Sequence, residues 1–456
     1  MKLTRQLVVN RRKWPGVAGG LRLQLGRGTC VAVIGLLLLC VPANSQQQFQ
    51  GICARAKIRI SQELTIERIG FLATLEVTNN DAEDPITDFS AELTFENPAL
   101  STENAKNDSR SLFFVRAPEL QNVNSVNGDG VIGPTKKAVV SWFIIPKIAA
   151  GGTSPEGVRY RVGCRLAGKM NGVPLPPEIL FAVPDEISVK PEPHLDIVYF
   201  QPRDVQGDDP FTVDVVESPI PFTLGVIVRN VGYGIARALK IVSEQPRIVE
   251  NKGGLLLVAQ LIGSRVMDSP RQPSLTVELG DIMPVQAKKG AWDMITSLSG
   301  EFIEFRATYR HTSELGGEET SIIKSIQAHF ITQEVLNDQY GRDGIRDFLA
   351  DTDRDPEMIP DALYESEGNV LPVNYLAEAT VEGEGRPGGT VIVRLVADKA
   401  GWGYTRVPDP GQGRLKIAAV VRSDGKVLNR NNAWVSTRHT RIGNVRQNWL
   451  NIFDLV

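Results

Sequence analysis

Two nine-residue runs about 150 residues apart share one alternation and end on the same residue type. In the first, Phe71, Ala73, Leu75 and Val77 alternate with Leu72, Thr74, Glu76 and Thr78, and the run stops at Asn79-Asn80. In the second, Phe222, Leu224, Val226 and Val228 alternate with Thr223, Gly225, Ile227 and Arg229, and the run stops at Asn230. Successive side chains of a strand point to opposite faces, so a period of two predicts a strand with one buried face. Trp142 lies 63 residues beyond Asn79, and Trp292 lies 62 beyond Asn230. A strand-like run follows each, over 160–166 and 305–311. The simplest account is two matched β units, with both tryptophans in their cores. Turn residues at Asn79-Asn80-Asp81, Asn127-Gly128-Asp129-Gly130 and Gly151-Gly152 favour antiparallel sandwiches over βαβ units.

A third apolar set begins near Leu371. Val391, Val393 and Leu395 alternate with Ile392, Arg394 and Val396, and Leu415, Ile417, Ala419 and Val421 run into Ser423-Asp424-Gly425-Lys426. An Asp-Gly centre suits a tight type I′ hairpin. Between the second and third sets the chain is acidic without clean alternation, apart from an amphipathic patch at Ile345, Phe348 and Leu349. This reads as a linker with a short helix. The expected organisation is all-β: tandem immunoglobulin-like antiparallel sandwiches over 46–190 and 191–331, an acidic, partly helical linker over 332–372, and a C-terminal β module over 373–456.

Residues 1–45 read differently. The first 27 carry seven basic side chains and no acid, and the apolar run 31–41 follows. Together with the small residues at Ala43 and Ser45, this is the pattern of an export signal cleaved before Gln46. The run is too short to span a bilayer comfortably, so no membrane anchor is expected after cleavage. Lipid attachment at Cys40 is the minor alternative, because Leu39 stands where a small residue belongs. Of 456 residues, 42% are hydrophobic, and Lys+Arg number 50 against 53 Asp+Glu, a balance that excludes disorder, collagen and a polytopic membrane protein. Loss of the leader shifts the net charge from -3 to about -10. An acidic chain without a local basic patch repels phosphate backbones, so nucleic acid is not an expected partner.

Cleavage would leave Cys53 and Cys164 as the only cysteines. In an oxidising compartment they would form one disulfide, closing a loop of 111 residues and contributing about 4–5 kcal/mol in the chain-entropy model. Two buried free thiols are the alternative.

The segment Val228-Arg229-Asn230-Val231-Gly232-Tyr233-Gly234-Ile235-Ala236 resembles the bacterial cell-adhesion-related domain (CARDB), in which a strand ends at Asn-x-Gly and the next strand pairs with it. Residues 245–251 and 433–437 also resemble stretches of large bacterial surface proteins that carry such domains beside fibronectin type III modules. The likeness extends over roughly 53–456. It implies an exported immunoglobulin-like adhesion or scaffold protein, and it carries over no catalytic residues.

Three sets of side chains could bind a ligand. Asp351, Asp353 and Asp355 have the alternate spacing of the first three calcium ligands of an EF-hand loop, but Pro356 stands where its Gly should be and Ala362 where its Glu should be. The run therefore reads first as a solvated linker, with calcium as the alternative and no other cofactor expected. Trp402, Tyr404 and Trp434 could form a sugar-binding platform, although core packing is the commoner fate of such residues. Glu382 and Glu384 bracket Gly383 and could be paired acids, but a solvated turn explains them as well. The four histidines are scattered, and no His-Glu-x-x-His, Gly-x-Ser-x-Gly, phosphate loop or Cys/His metal spacing occurs.

The function expected from the sequence is therefore non-enzymatic: an adhesion or scaffold component in the periplasm, at the cell surface or outside the cell. Its partner would be an envelope protein or a glycan, held by sandwich loops and edges. The unpaired edges also leave self-association open. The competing expectation is a carbohydrate-binding accessory module or hydrolase of a polysaccharide-degrading system.

Overall fold

A computed structural model describes residues 54–100, 108–209, 214, 216–242, 258–301, 322–353, 357–383, 385–440 and 445–456. The expected leader, Cys53 and the runs 245–251 and 305–311 lie outside them. Among the described residues the chain is all-β, with one 3-10 turn at Asp108–Leu112 and no α-helix. No helix there is long and apolar enough to cross a membrane.

The first sandwich contains β1 (Ala54–Ile60), β2 (Leu64–Ile66), β3 (Phe71–Asn79), β4 (Ile86–Glu96), β5 (Phe113–Val115), β6 (Glu119–Gln121), β7 (Asn127–Ile132), β8 (Lys137–Pro146), β9 (Val158–Met170), β10 (Val173–Pro174) and β11 (Asp185–Lys190). One sheet runs β1-β3-β8-β5, with β6 also on β8. The other runs β2-β11-β9-β4-β7, with β10 on β9. These are the A-B-E-D and G-F-C orders of an immunoglobulin-like sandwich. Phe71, Ala73, Leu75, Val77 and Trp142 fill the space between the sheets, as the alternation predicts. Burying each large side chain contributes about 1.5–3 kcal/mol. Tyr160, near the start of β9, donates its hydroxyl to the Ala150 carbonyl (2.7 Å), the tie between the E–F corner and strand F seen in such folds. Burial first, then the nearby Glu67, pushes that hydroxyl up to about 12.

The second unit repeats the plan with β12 (Leu195–Gln201), β13 (Asp204–Val205), β14 (Phe222–Asn230), β15 (Ala236–Val242), β16 (Ala259–Val266), β17 (Ser269–Arg271), β18 (Thr276–Ile282), β19 (Ala287–Thr296), β20 (Gly300–Glu301) and β21 (Ile323–Val335). Its β12-β14-β19-β16 order is again A-B-E-D, and β15–β18 is the described part of the facing sheet. The register matches as well: Trp142 lies opposite Ala73 and Trp292 opposite Leu224, each six residues before the terminal asparagine. Val226, Val228 and Trp292 are buried.

Residues 332–372 differ from the sequence expectation. Their described residues form no helix, and they are not a solvated linker. The chain there builds β22 (Asp347–Asp351), β23 (Ala362–Tyr364) and the start of β24 (Val370–Tyr375), and these continue the second unit's sheet in the order β12-β21-β22-β23-β24. Every residue of β22 and β23 is buried. Phe348 faces a core shared with Phe200 and Ile227, while Leu349 faces one shared with Leu363 and Trp402. A strand with apolar neighbours on both faces has no wet side to create a period of two, so its pattern is easily mistaken for a helix.

The sheet then runs through β27 (Trp402–Pro408), β29 (Val445–Leu455) and β28 (Ala433–Thr440), with β25 (Thr380–Glu382) and β26 (Ile392–Arg394) as a separate hairpin. The expected C-terminal module is thus joined to the second sandwich by one twelve-stranded sheet. It also curls back on itself. The Asn432 side chain accepts from Leu336 N (2.8 Å) and donates to Leu336 O (2.9 Å), tying the approach to β28 to the end of β21. The predicted strand over 415–421 is absent, apart from a single bridge between Val421 and Val427. The Asp-Gly turn is also of another type. Gly425 alone is left-handed (φ 90°), and its N–H bonds to Arg422 O, which makes a type I turn followed by a glycine bulge.

Candidate binding surfaces

The proposed sugar platform is turned inward. Trp402 stacks on Phe453 with ring centroids 4.7 Å apart. Tyr404 is buried, donates its hydroxyl to Asn451 Oδ1 (2.9 Å) and has Trp434 stacked 6.1 Å away. Burial dominates the Tyr404 hydroxyl and raises its pKa. Of the three residues only Trp434 keeps partial exposure, so no flat aromatic surface is available to a glycan.

The acidic triplet is not assembled either. Asp351 is buried at the end of β22, Asp353 is exposed, and Asp355 lies outside the described residues. Among the described residues no group of three His, Cys, Asp or Glu side chains is placed to hold a metal. Glu382 is exposed and paired with Arg394 (3.1 Å), and Glu384 lies outside the described residues. Cys164 is half-buried on β9 and has no disulfide partner among the described residues, and burial pushes its thiol up to about 12. Its expected partner, Cys53, lies outside the described residues.

A buried ion network that the sequence did not reveal holds β22 to the second sandwich. Lys289, 1% exposed, donates to Glu334 Oε1 (2.7 Å), Asp268 Oδ1 (3.1 Å) and the Arg346 carbonyl (2.6 Å), so all three ammonium protons are used. It also lies 4.5 Å from the centroid of the Phe348 ring. Arg265 forms a fork on Asp293 (2.9 and 2.7 Å) and another on Glu334 (3.1 and 2.8 Å). Burial works against its charge, but Asp293 and Glu334 outweigh burial and raise its pKa. Burial likewise pushes the Asp268 carboxyl up, yet Lys289 and Arg346 overcome this and hold it at about 2. Three cations and three acids brought together from distant segments leave no local spacing in a sequence.

Beside the network, Asp347 accepts from Ser366 N (2.9 Å) and Asn337 N (3.1 Å), while Glu365 accepts from the Asn337 and Asn369 amides. Burial drives Asp347 to about 7; Glu365 adds to this, while the two backbone donors and Lys289 oppose it. A cleft of about 170 Å³ opens nearby between Asp196, Arg229, Ser325, Tyr364 and Asn369. It has room for on the order of five waters, below the usual size of a ligand pocket.

Among the described residues, the outer face of the β1-β3-β8-β5 sheet is an uncommitted surface. Leu72 lies opposite Phe143, and Phe114 opposite Ile145, so cross-strand register gathers these apolar side chains at one end. Leu72, Phe114 and Phe143 are all exposed. Arg55, Lys57 and Arg59 occupy alternate, outward positions of the edge strand β1. In the second sandwich the equivalent face is covered: Ile227 and Ala287 lie under Phe348, Ala350 and Tyr364.

No family model matches the chain, and no curated protein matches it. Solved structures give low-level similarities. A cohesin module of a Clostridium perfringens family 33 glycoside hydrolase is 16% identical at TM-score 0.19, over 31% of this chain and 98% of that one. The major pilin subunit of Bacillus cereus is 9% identical at TM-score 0.19, over 42% of this chain and 61% of the pilin. The Yersinia pseudotuberculosis adhesin InvE is 10% identical at TM-score 0.15, over 54% and 58%.

Proposed function

We propose that this chain is an exported, non-enzymatic binding or scaffold protein built from CARDB-like, immunoglobulin-like sandwiches, working in the periplasm or at the cell surface. The observation that carries this reading is the contrast between two equivalent sheet faces: the second sandwich's is packed under β22 and β23, and the first's is open and apolar at one end. An exposed apolar patch on a rigid sheet is the usual mark of an interaction surface. The glycan-binding alternative loses its support with the burial of Trp402 and Tyr404.

Chemical cross-linking of the mature, tagged protein in its own envelope tests the proposal. A saturable complex with one envelope component is expected. Recovery solely as a free monomer in the medium, together with turnover of a polysaccharide substrate, would reject it.

A further inference from the structure

We propose that the outer face of the β1-β3-β8-β5 sheet docks an acidic β segment of another protein, which lays apolar side chains on Leu72, Phe114 and Phe143. This rests on the scaffold reading above and names the chemistry of its partner. Charge is the first argument. Among the described residues, exposed Arg55, Lys57, Arg59, Arg116 and Lys137 share this face with two acids, Glu76 and Glu119, and Glu76 is already paired with Lys137 (2.8 Å). The chain as a whole is acidic once its leader is removed, so the face is a local reversal of sign. Two copies meeting through it would bring like charges together, which disfavours self-association here and selects a partner of opposite sign.

The second argument comes from within the molecule. On the equivalent face of the second sandwich, Gly225 and Lys289 stand where the first has Thr74 and Val139. That face is covered by β22 and β23, with Phe348 over Gly225 as the apolar anchor, while Glu334 at the end of the neighbouring β21 pairs with Lys289. The first sandwich offers the same platform with the polarity rearranged. Its apolar anchor points are Leu72 and Phe143, at the positions of Thr223 and Asp293. Its cations lie along β1, a terminal strand of the sheet. Such cations also guard an edge against strand addition. That role explains β1, but it leaves Leu72, Phe114 and Phe143 unaccounted for on the face itself.

The test is photo-cross-linking in cells that make the full protein, with p-benzoylphenylalanine in place of Phe114, and with the same residue in place of exposed Tyr340 as a control. A cross-link from position 114 to a protein peptide with a clear excess of Asp and Glu is expected. It should fall at least about tenfold in R55E/K57E/R59E and in L72D, with the melting temperatures of both variants unchanged. Cross-linking to lipid, or to a peptide without acidic excess, would overturn the proposal. Capture of a protein from position 340 but not from 114 would overturn the docking face and leave the scaffold reading standing. Silence at both positions would reject both.

Discussion

Asn79 and Asn230 hold the same corner of the two sandwiches. Each is fully buried at the end of its strand, β3 or β14. Each side-chain oxygen accepts the N–H two residues on, from Asp81 (3.0 Å) or Gly232 (3.1 Å). Each amide nitrogen donates across the turn and to the end of the strand beyond, to Asp84 O (2.8 Å) and Ile132 O (3.3 Å), or to Gly234 O (2.7 Å) and Ile282 O (3.1 Å). The repeated asparagine is thus a structural clamp that serves buried backbone groups.

Removing either clamp leaves several of those groups without a partner. Asn79→Ala and Asn230→Ala should each cost about 2–4 kcal/mol in urea unfolding, and the double variant should be additive because the two corners share no contacts. Asn→Asp should also destabilise, since a carboxylate oxygen would then face carbonyl acceptors. Loss of stability in only one of the two sandwiches would break the equivalence.

Lys289 belongs to a network that is neutral as a whole, so deleting its charge should do more harm than its size suggests. Lys289→Met leaves Asp268 and Glu334 short of one buried cation, and about 3–5 kcal/mol should be lost. Amide hydrogen exchange over 347–351 should quicken in the same variant, because the network anchors β22, while β3 and β8 of the first sandwich stay protected. Unchanged exchange in β22 would show that the network does not hold it.

The pH dependence of stability should contain two opposed parts. Asp347 keeps its proton in the folded chain up to about 7 but loses it near 3.8 when unfolded. It therefore lowers stability progressively as pH rises from about 4 to 7, by on the order of 4 kcal/mol in full, and has no effect below that window. Asp268 acts in the other sense: with its folded value at about 2, it adds stability above the unfolded value that is lost as pH falls toward 2. Melting curves between pH 4 and 8 should therefore show a decline in the wild type that flattens in Asp347→Asn. Equal slopes in the two proteins would remove Asp347 as the cause.

What could be read from the sequence follows one physical rule. Strands with one wet face, such as Phe71–Asn79, print a period of two, and so the sandwiches, their repeat and the buried tryptophans were legible. Asp347–Asp351 and Ala362–Tyr364 print none, because both of their faces are dry. Acidity then suggested a solvent-exposed linker, whereas Asp347, Asp351 and Glu365 are buried. The cations of β1 were not legible as a local basic patch, because only strand pairing sets Arg55, Lys57 and Arg59 on one face with Lys137. Their apolar neighbours came into view only when register placed Leu72 beside Phe143.

The cover on the second sandwich depends on a glycine. A Cβ on Gly225 would run into the buried Phe348 ring, which rests where a side chain of β14 would otherwise stand. Gly225→Ala should therefore force the ring aside and cost about 1–3 kcal/mol, the usual range for overpacking a filled core. Phe348→Leu alone should cost a comparable amount through lost packing around Phe200 and Ile227. If the two side chains compete for one space, the double variant should be more stable than the sum of the single losses predicts, by about 0.5 kcal/mol or more. Strict additivity in a double-mutant cycle would mean that Phe348 does not rest on Gly225. In that case the outer face of the second sandwich would be as open as that of the first.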